Sequence, residues 1–363
     1  MNKLTAQPSL QQRHYGLDLL RIVSMLMIVM LHVIGRGGVN GAVSKGSIAY
    51  YINVALFYAA LGGVNCYALL SGYFGIGKRN RFASISALWL QVFVYSLGIT
   101  LCLRLFLGRG GGLLESAFPV LNKQYWYFTA YFILFLLSPV LNAALEKLSV
   151  SQLGTILLIS GVCFSISIYF EDVFILNGGY SAQWLIYLYL LGGMFRKTGT
   201  GTRKLKWAVI FAATVLLNVI VQQVSLRLRW EQRDDQISYT NPLLVLASVS
   251  AFLFCANLKI RPGSLWGKII GAISPLCFGV YLIHTHPGVF NLLQGAFSFL
   301  GKHSPVVMTG GILAATLAIF LTCCAIEALR QLIFRWLRLR KLLESLGKYP
   351  EALMEKVFRV KEN

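Results

Sequence analysis

The sequence predicts an all-α, polytopic transmembrane helical bundle, and three observations carry that prediction. Of its 363 residues, 56% are hydrophobic and 13% charged, with a mean hydropathy of +0.66; a soluble domain of this size carries about 25% charged residues. The apolar residues gather in runs near the ~20-residue length that crosses a bilayer. The formal charge of +20 sits in short basic clusters between those runs. Such clusters serve as cytoplasmic anchors in a membrane protein and do not imply nucleic acid as a partner.

About ten spans are expected, at 15–35, 48–74, 84–107, 125–145, 152–170, 180–195, 206–226, 242–258, 269–298 and 306–328. The sixth is short, and Pro275 and Pro287 interrupt the ninth. The longest connections, 108–124 and 227–241, leave no room for a soluble domain. Ten crossings place both termini on one side. With that side as the cytoplasm, inner segments hold 23 Lys and Arg against nine outside, which predicts a multi-pass protein of the inner or plasma membrane with both termini cytoplasmic. The first run is long, charged and without a small-residue cleavage site, so it is expected to stay as a span. Residues 1–328 form the expected bundle and 329–363 a basic amphipathic tail. That tail, beginning in "EALRQLIFRWLRLRKLLESLG", is expected on the anionic inner leaflet of the lipid bilayer.

The first run, "YGLDLLRIVSMLMIVMLHVIG", carries Asp18, Arg21 and His32, each costing roughly 2.5–3.5 kcal/mol or more at mid-membrane. Asp18 and Arg21 are three positions apart and share a helical face. Arg21 and His32 are eleven apart, within about 20° of three full turns and separated by about 16 Å of rise. The three groups therefore form one stripe, which belongs against a polar cavity within the bundle.

The seven cysteines lie inside apolar runs, with no CxxC or Cys/His ligand spacing, and read as packing residues; no metal site is expected. No GxSxG elbow, Walker loop or acidic cluster occurs, and "GRGGG" at 108–112 reads as a flexible connection.

Four stretches together carry a resemblance. "GLDLLRIVSMLMIVMLHV" resembles the opening signature of the membrane-bound acyltransferase 3 family, an Arg followed after ten residues by a His. "CYALLSGYFGIGKRNR" is similar to its second helix and basic loop, "YWYFTAYFILFLLSPVLN" to its aromatic span with a Ser-Pro-x-x-Asn end, and "ISPLCFGVYLIH" to its late helix. The resemblance implies a ten-helix core moving an acyl group, usually acetyl, from acyl-CoA (acetyl-CoA) to an extracytoplasmic or lipid-linked glycan. Relatives carry further basic residues where the third helix begins. Here "SISALW" is uncharged, leaving Lys78, Arg79 and Arg81 as the nearest cations. No esterase-like domain of the kind some relatives append is expected, so the bundle is expected to finish the reaction itself or hand over to a partner.

Residue chemistry fits that reading. His32 suits a general base for an acceptor hydroxyl, the alternative being a packed histidine bonded to a helix carbonyl. Arg21 suits an oxyanion or phosphate ligand, with Asp18 as its orienting partner or as a structural salt bridge. Lys78, Arg79 and Arg81 could draw in coenzyme A phosphates or only anchor the chain. Trp126, Tyr281 and His284 are the candidate lining of a substrate cavity, although Trp126, with Tyr125, reads most simply as part of an interfacial aromatic belt. His286 is expected to cap a helix or sit at the interface. A second functional class, a secondary transporter of a small anionic or sugar substrate, would use the same Asp18/Arg21/His32 stripe, but no repeated halves with matching broken helices are visible.

Overall fold

A computed structural model of the protein describes residues 13–76, 82–167, 170, 172–228 and 238–339. Lipid cannot satisfy backbone amides, so each segment must close its own hydrogen bonds, and the described residues form helices joined by turns and loops, without a strand.

The first helix, α1 (Tyr15–Ile34), starts where the His14 ring accepts from the Leu17 amide at 3.3 Å. Burial lowers the proton affinity of that imidazole, which keeps the accepting nitrogen free. Asp18 in the first turn complements the helix dipole. α1 is the axis of the bundle: twelve of its 20 residues are buried, and later helices pack on it from every side.

The second run folds as α2 (Ile48–Leu61) and α3 (Gly63–Gly75), one 28-residue span bent at Gly62. α4 (Phe82–Leu107), α5 (Trp126–Lys147), α6 (Val150–Ile166) and α7 (Ala182–Thr198) follow. α3 and α7 cross at near backbone contact. A Cβ on Gly72 would stand 1.9 Å from the Tyr189 carbonyl oxygen, and one on Gly192 would stand 2.1 Å from that of Leu69. In lipid, where apolar surface gains nothing by leaving water, such small-residue contacts supply the packing that holds helices together. α8 (Lys204–Arg227) and α9 (Pro242–Ala256) lie against one another, α9 opening with Asn241 accepting from the Leu243 and Leu244 amides.

The next span, Leu265–His284, is divided into α10 (Leu265–Ile273), a 3₁₀ turn (Ser274–Leu276) at Pro275, and α11 (Cys277–His284). The ninth run expected at 269–298 is thereby corrected: it begins earlier and stops at His284. Pro287 opens a separate short helix, Pro287–Leu292, capped by the His286 ring accepting from the Gly288 amide at 3.2 Å. Of the two roles expected for His286, the structure shows the cap. α12 (Pro305–Trp336) has 32 residues, about 48 Å, longer than the ~30 Å hydrocarbon core. It passes residue 328 without a break.

Seven helical segments are long and apolar enough to cross a membrane among the described residues; α6 and α7, of 17 residues, and α9, of 15, are shorter. Leucine, valine and isoleucine side chains of α4, α6, α8 and α12 face outward, as expected where lipid is the solvent. All seven cysteines are free thiols, Cys102 and Cys163 exposed and the other five buried.

Replacing Gly192 by Ala drives a Cβ into a backbone oxygen, an overpacking worth about 1–3 kcal/mol. Gly310→Ala meets nothing within 4 Å and serves as the control. Thermal unfolding of the detergent-purified protein is expected to show a lowered midpoint for the first and none for the second.

Candidate functional site

At the start of α1 Asp18 is 5% exposed, and its carboxylate is bound from three directions. Arg13 Nε donates to Oδ2 at 2.5 Å, Arg21 Nη1 to Oδ1 at 2.6 Å, and Ser274 Oγ to Oδ1 at 3.0 Å. Ser274 also accepts from Arg21 Nη1 at 2.9 Å. Two cations and a hydroxyl offset the desolvation of one carboxylate. The sequence stripe contained Asp18 and Arg21; Arg13 and Ser274 join only through the fold. Arg21 lines a pocket of about 270 Å³ with Tyr67, Ser71, Tyr131, Ser138, Asn142 and Tyr189. Asn142, the last residue of the Ser-Pro-x-x-Asn motif, donates to the Gly75 carbonyl at 3.0 Å and accepts from Tyr189 at 2.7 Å, tying α3, α5 and α7 together at the pocket wall.

Eleven residues along α1, His32 faces His284. His284 Nδ1 lies 2.6 Å from the Val280 carbonyl oxygen, and its Nε2 lies 3.1 Å from His32 Nδ1. A carbonyl can only accept, so His284 carries its proton on Nδ1 and its Nε2 is the acceptor. His32 therefore donates from Nδ1, and its Nε2 holds a lone pair. The edge of Phe290 closes on the His32 ring at 4.9 Å between centroids.

These two contacts use one partner segment. Ser274 meets Arg21 and His284 meets His32, so α1 and the segment from the 3₁₀ turn to the end of α11 run side by side in the same direction. The polar stripe of α1 is matched at both ends.

Of the other expected residues, Tyr281 lies three positions before His284 on α11 and contacts Tyr125 and Tyr127, with ring centroids 5.9 and 6.1 Å away. Trp126 turns instead to Tyr180 at 4.4 Å and Tyr239 at 5.9 Å. Lys78, Arg79 and Arg81 lie outside the described residues.

Glu327 was not among the residues expected at a site. It is fully buried on α12, chelated by Arg330 at 2.6 and 2.8 Å, with donors Tyr95 at 2.5 Å and Gln331 at 2.8 Å. Its signal in the sequence is the acid–base pair three residues apart at the end of a span, the spacing of Asp18 and Arg21. α11 passes it at Gly279, where a Cβ would stand 2.5 Å from the carboxylate. Among the described residues no group of His, Cys, Asp and Glu is arranged to hold a metal.

Glu327→Ala leaves Arg330, 15% exposed, without its carboxylate, and an uncompensated buried partner costs about 3–5 kcal/mol. A large fall in the unfolding midpoint is the expected outcome; a change of a degree or less excludes the cluster from the stability of the bundle.

A family model described as an acyltransferase domain matches residues 14–327, from the cap of α1 to the buried glutamate of α12. Comparisons with curated proteins and with solved structures find no match. With the matched region spanning nearly all of the described bundle, and with both the Arg21 and His32 motif positions inside it, the chain belongs to the acyltransferase 3 family and is a multi-pass membrane acyltransferase.

Proposed function

We propose that the protein transfers an acyl group, acetyl in the family's usual case, from cytoplasmic acyl-CoA to a hydroxyl of a surface polysaccharide, a lipid-linked glycan or another envelope acceptor. The observation that carries this reading is the His32–His284 pair, which leaves one imidazole lone pair fixed in the bundle, about 16 Å along the helix from a guanidinium that lines a pocket. With both termini in the cytoplasm of an inner or plasma membrane, Arg21 lies towards the cytoplasm and His32 towards the outside.

In the reaction, His32 Nε2 takes the proton of the acceptor hydroxyl as its oxygen attacks the thioester carbonyl carbon. The tetrahedral adduct collapses, the C–S bond breaks, and the coenzyme A sulfur leaves with the proton from His32. His284 accepts from His32 Nδ1–H throughout, which holds the ring and stabilises the imidazolium formed midway. Arg21, oriented by Asp18 and Ser274, holds an oxyanion of the donor. Lys78, Arg79 and Arg81 add cytoplasmic charge that draws the coenzyme in, and the basic tail rests on the anionic inner leaflet.

His32→Ala is expected to abolish transfer of label from acyl-CoA while leaving acyl-CoA binding nearly intact. Near-normal turnover in that variant removes the general-base role. Uptake of an unmodified solute by liposomes holding the protein, without label transfer, would favour a transporter instead. Reporter fusions after Asn363 and within 171–180 are expected to read inside and outside respectively, and the reverse pattern overturns the direction of transfer.

A further inference from the structure

Between the Arg21 pocket and the histidine pair runs a file of tyrosines. Tyr131 lines the pocket and stacks on Tyr127 with centroids 6.2 Å apart. Tyr127 meets Tyr281 at 6.1 Å, and Tyr281 meets Tyr125 at 5.9 Å. Tyr281 is followed three residues later, on the same face of α11, by His284. Tyr67 stands beside the file, its ring 6.4 Å from that of Tyr127 and its hydroxyl bonded to the Arg21 carbonyl.

The hydroxyls of Tyr125, Tyr127 and Tyr281 are all buried, and none has a hydrogen-bond partner among the described residues. That of Tyr281 lies near the Tyr127 and Phe128 amides and the Thr285 side chain without meeting hydrogen-bond geometry with any of them. Buried polar groups are nearly always paired, because an unmade bond leaves the desolvation cost uncompensated. Phenylalanine would fill the same space at no such cost. Three adjacent orphans of this kind mark a place where polar atoms of a ligand belong.

We infer that these three hydroxyls form the binding site for the amide-bearing pantetheine arm of the acyl donor, pairing with its amide groups as it passes from Arg21 towards His32. The inference rests on the function proposed above. An arm of this type offers what the file lacks: carbonyl oxygens and N–H groups along a slender, otherwise apolar chain. A phenol can donate to the one and accept from the other. The line of rings matches the direction from the guanidinium to the general base, so the arm lies where the two ends of α1 require it.

The test is binding of a thioether analogue of acetyl-CoA, which cannot transfer its acyl group, to the full chain in nanodiscs. Tyr127→Phe and Tyr281→Phe are expected to raise Kd about three- to tenfold each, and the double variant about thirtyfold. Tyr187→Phe, whose ring stacks on Trp184 away from the file, is the control and leaves Kd unchanged. The unfolding midpoints of the two file variants stay level or rise, since each removes an unpaired group. An unchanged Kd in the double variant overturns the inference while leaving the proposed function standing, as does an equal weakening in the control. Wild-type protein that fails to bind the analogue overturns both.

Discussion

The Asp18 carboxylate is the point on which the site is built. It is buried one turn into α1, and it holds two arginines and the hydroxyl of Ser274 at once. A charge so placed is tolerated only while its partners stay in reach, so it fixes three elements together: the segment entering α1, α1 itself, and the turn between α10 and α11. The turn is there because Pro275 cannot continue a regular helix. Ser274, just before that proline, is placed to bridge Asp18 and Arg21.

Once that end is fixed, the other follows from helical pitch. Ser274 to His284 and Arg21 to His32 span ten and eleven residues of two segments running in the same direction, so His284 arrives opposite His32 when Ser274 is opposite Arg21. The histidine pair is thereby held in register by an ion pair three turns away. The Val280 carbonyl then decides which nitrogen of His284 carries the proton, and through it which nitrogen of His32 is free. A backbone acceptor, which does not titrate, orders both imidazoles.

Around this axis the bundle holds by close approach and by buried polar contacts. Gly72 and Gly192 let α3 and α7 touch through their backbones. Asn65 accepts from the Trp184 indole at 3.0 Å and donates to the Tyr239 carbonyl at 2.9 Å, and Glu327 gathers Tyr95, Arg330 and Gln331 beside α11. Of the buried polar atoms left without a partner among the described residues, the hydroxyls of Tyr125, Tyr127 and Tyr281 belong to rings in mutual contact, between the Arg21 and His32 ends of α1.

The sequence by itself determined the all-helical membrane class, because apolar runs of span length admit few other structures in lipid. It also determined the Asp18/Arg21/His32 stripe, because residues on one helix are related by fixed angles and rises. For His286 it left a cap and an interfacial position open, and the structure makes it a cap. What only the tertiary structure decided are the partners brought from elsewhere in the chain. Arg13 and Ser274 reach Asp18, His284 accepts a hydrogen bond from His32, and Tyr125 and Tyr127, rather than Trp126, turn to Tyr281. Such pairings depend on how helices far apart in sequence are rotated and shifted against one another. In lipid that choice is made by small residues and single polar contacts, not by broad hydrophobic faces, so no periodic pattern records it. The end of the ninth span shows the same limit: its apolar residues continue beyond His284, and the local geometry of Pro287 and the His286 cap, not hydropathy, ends the helix.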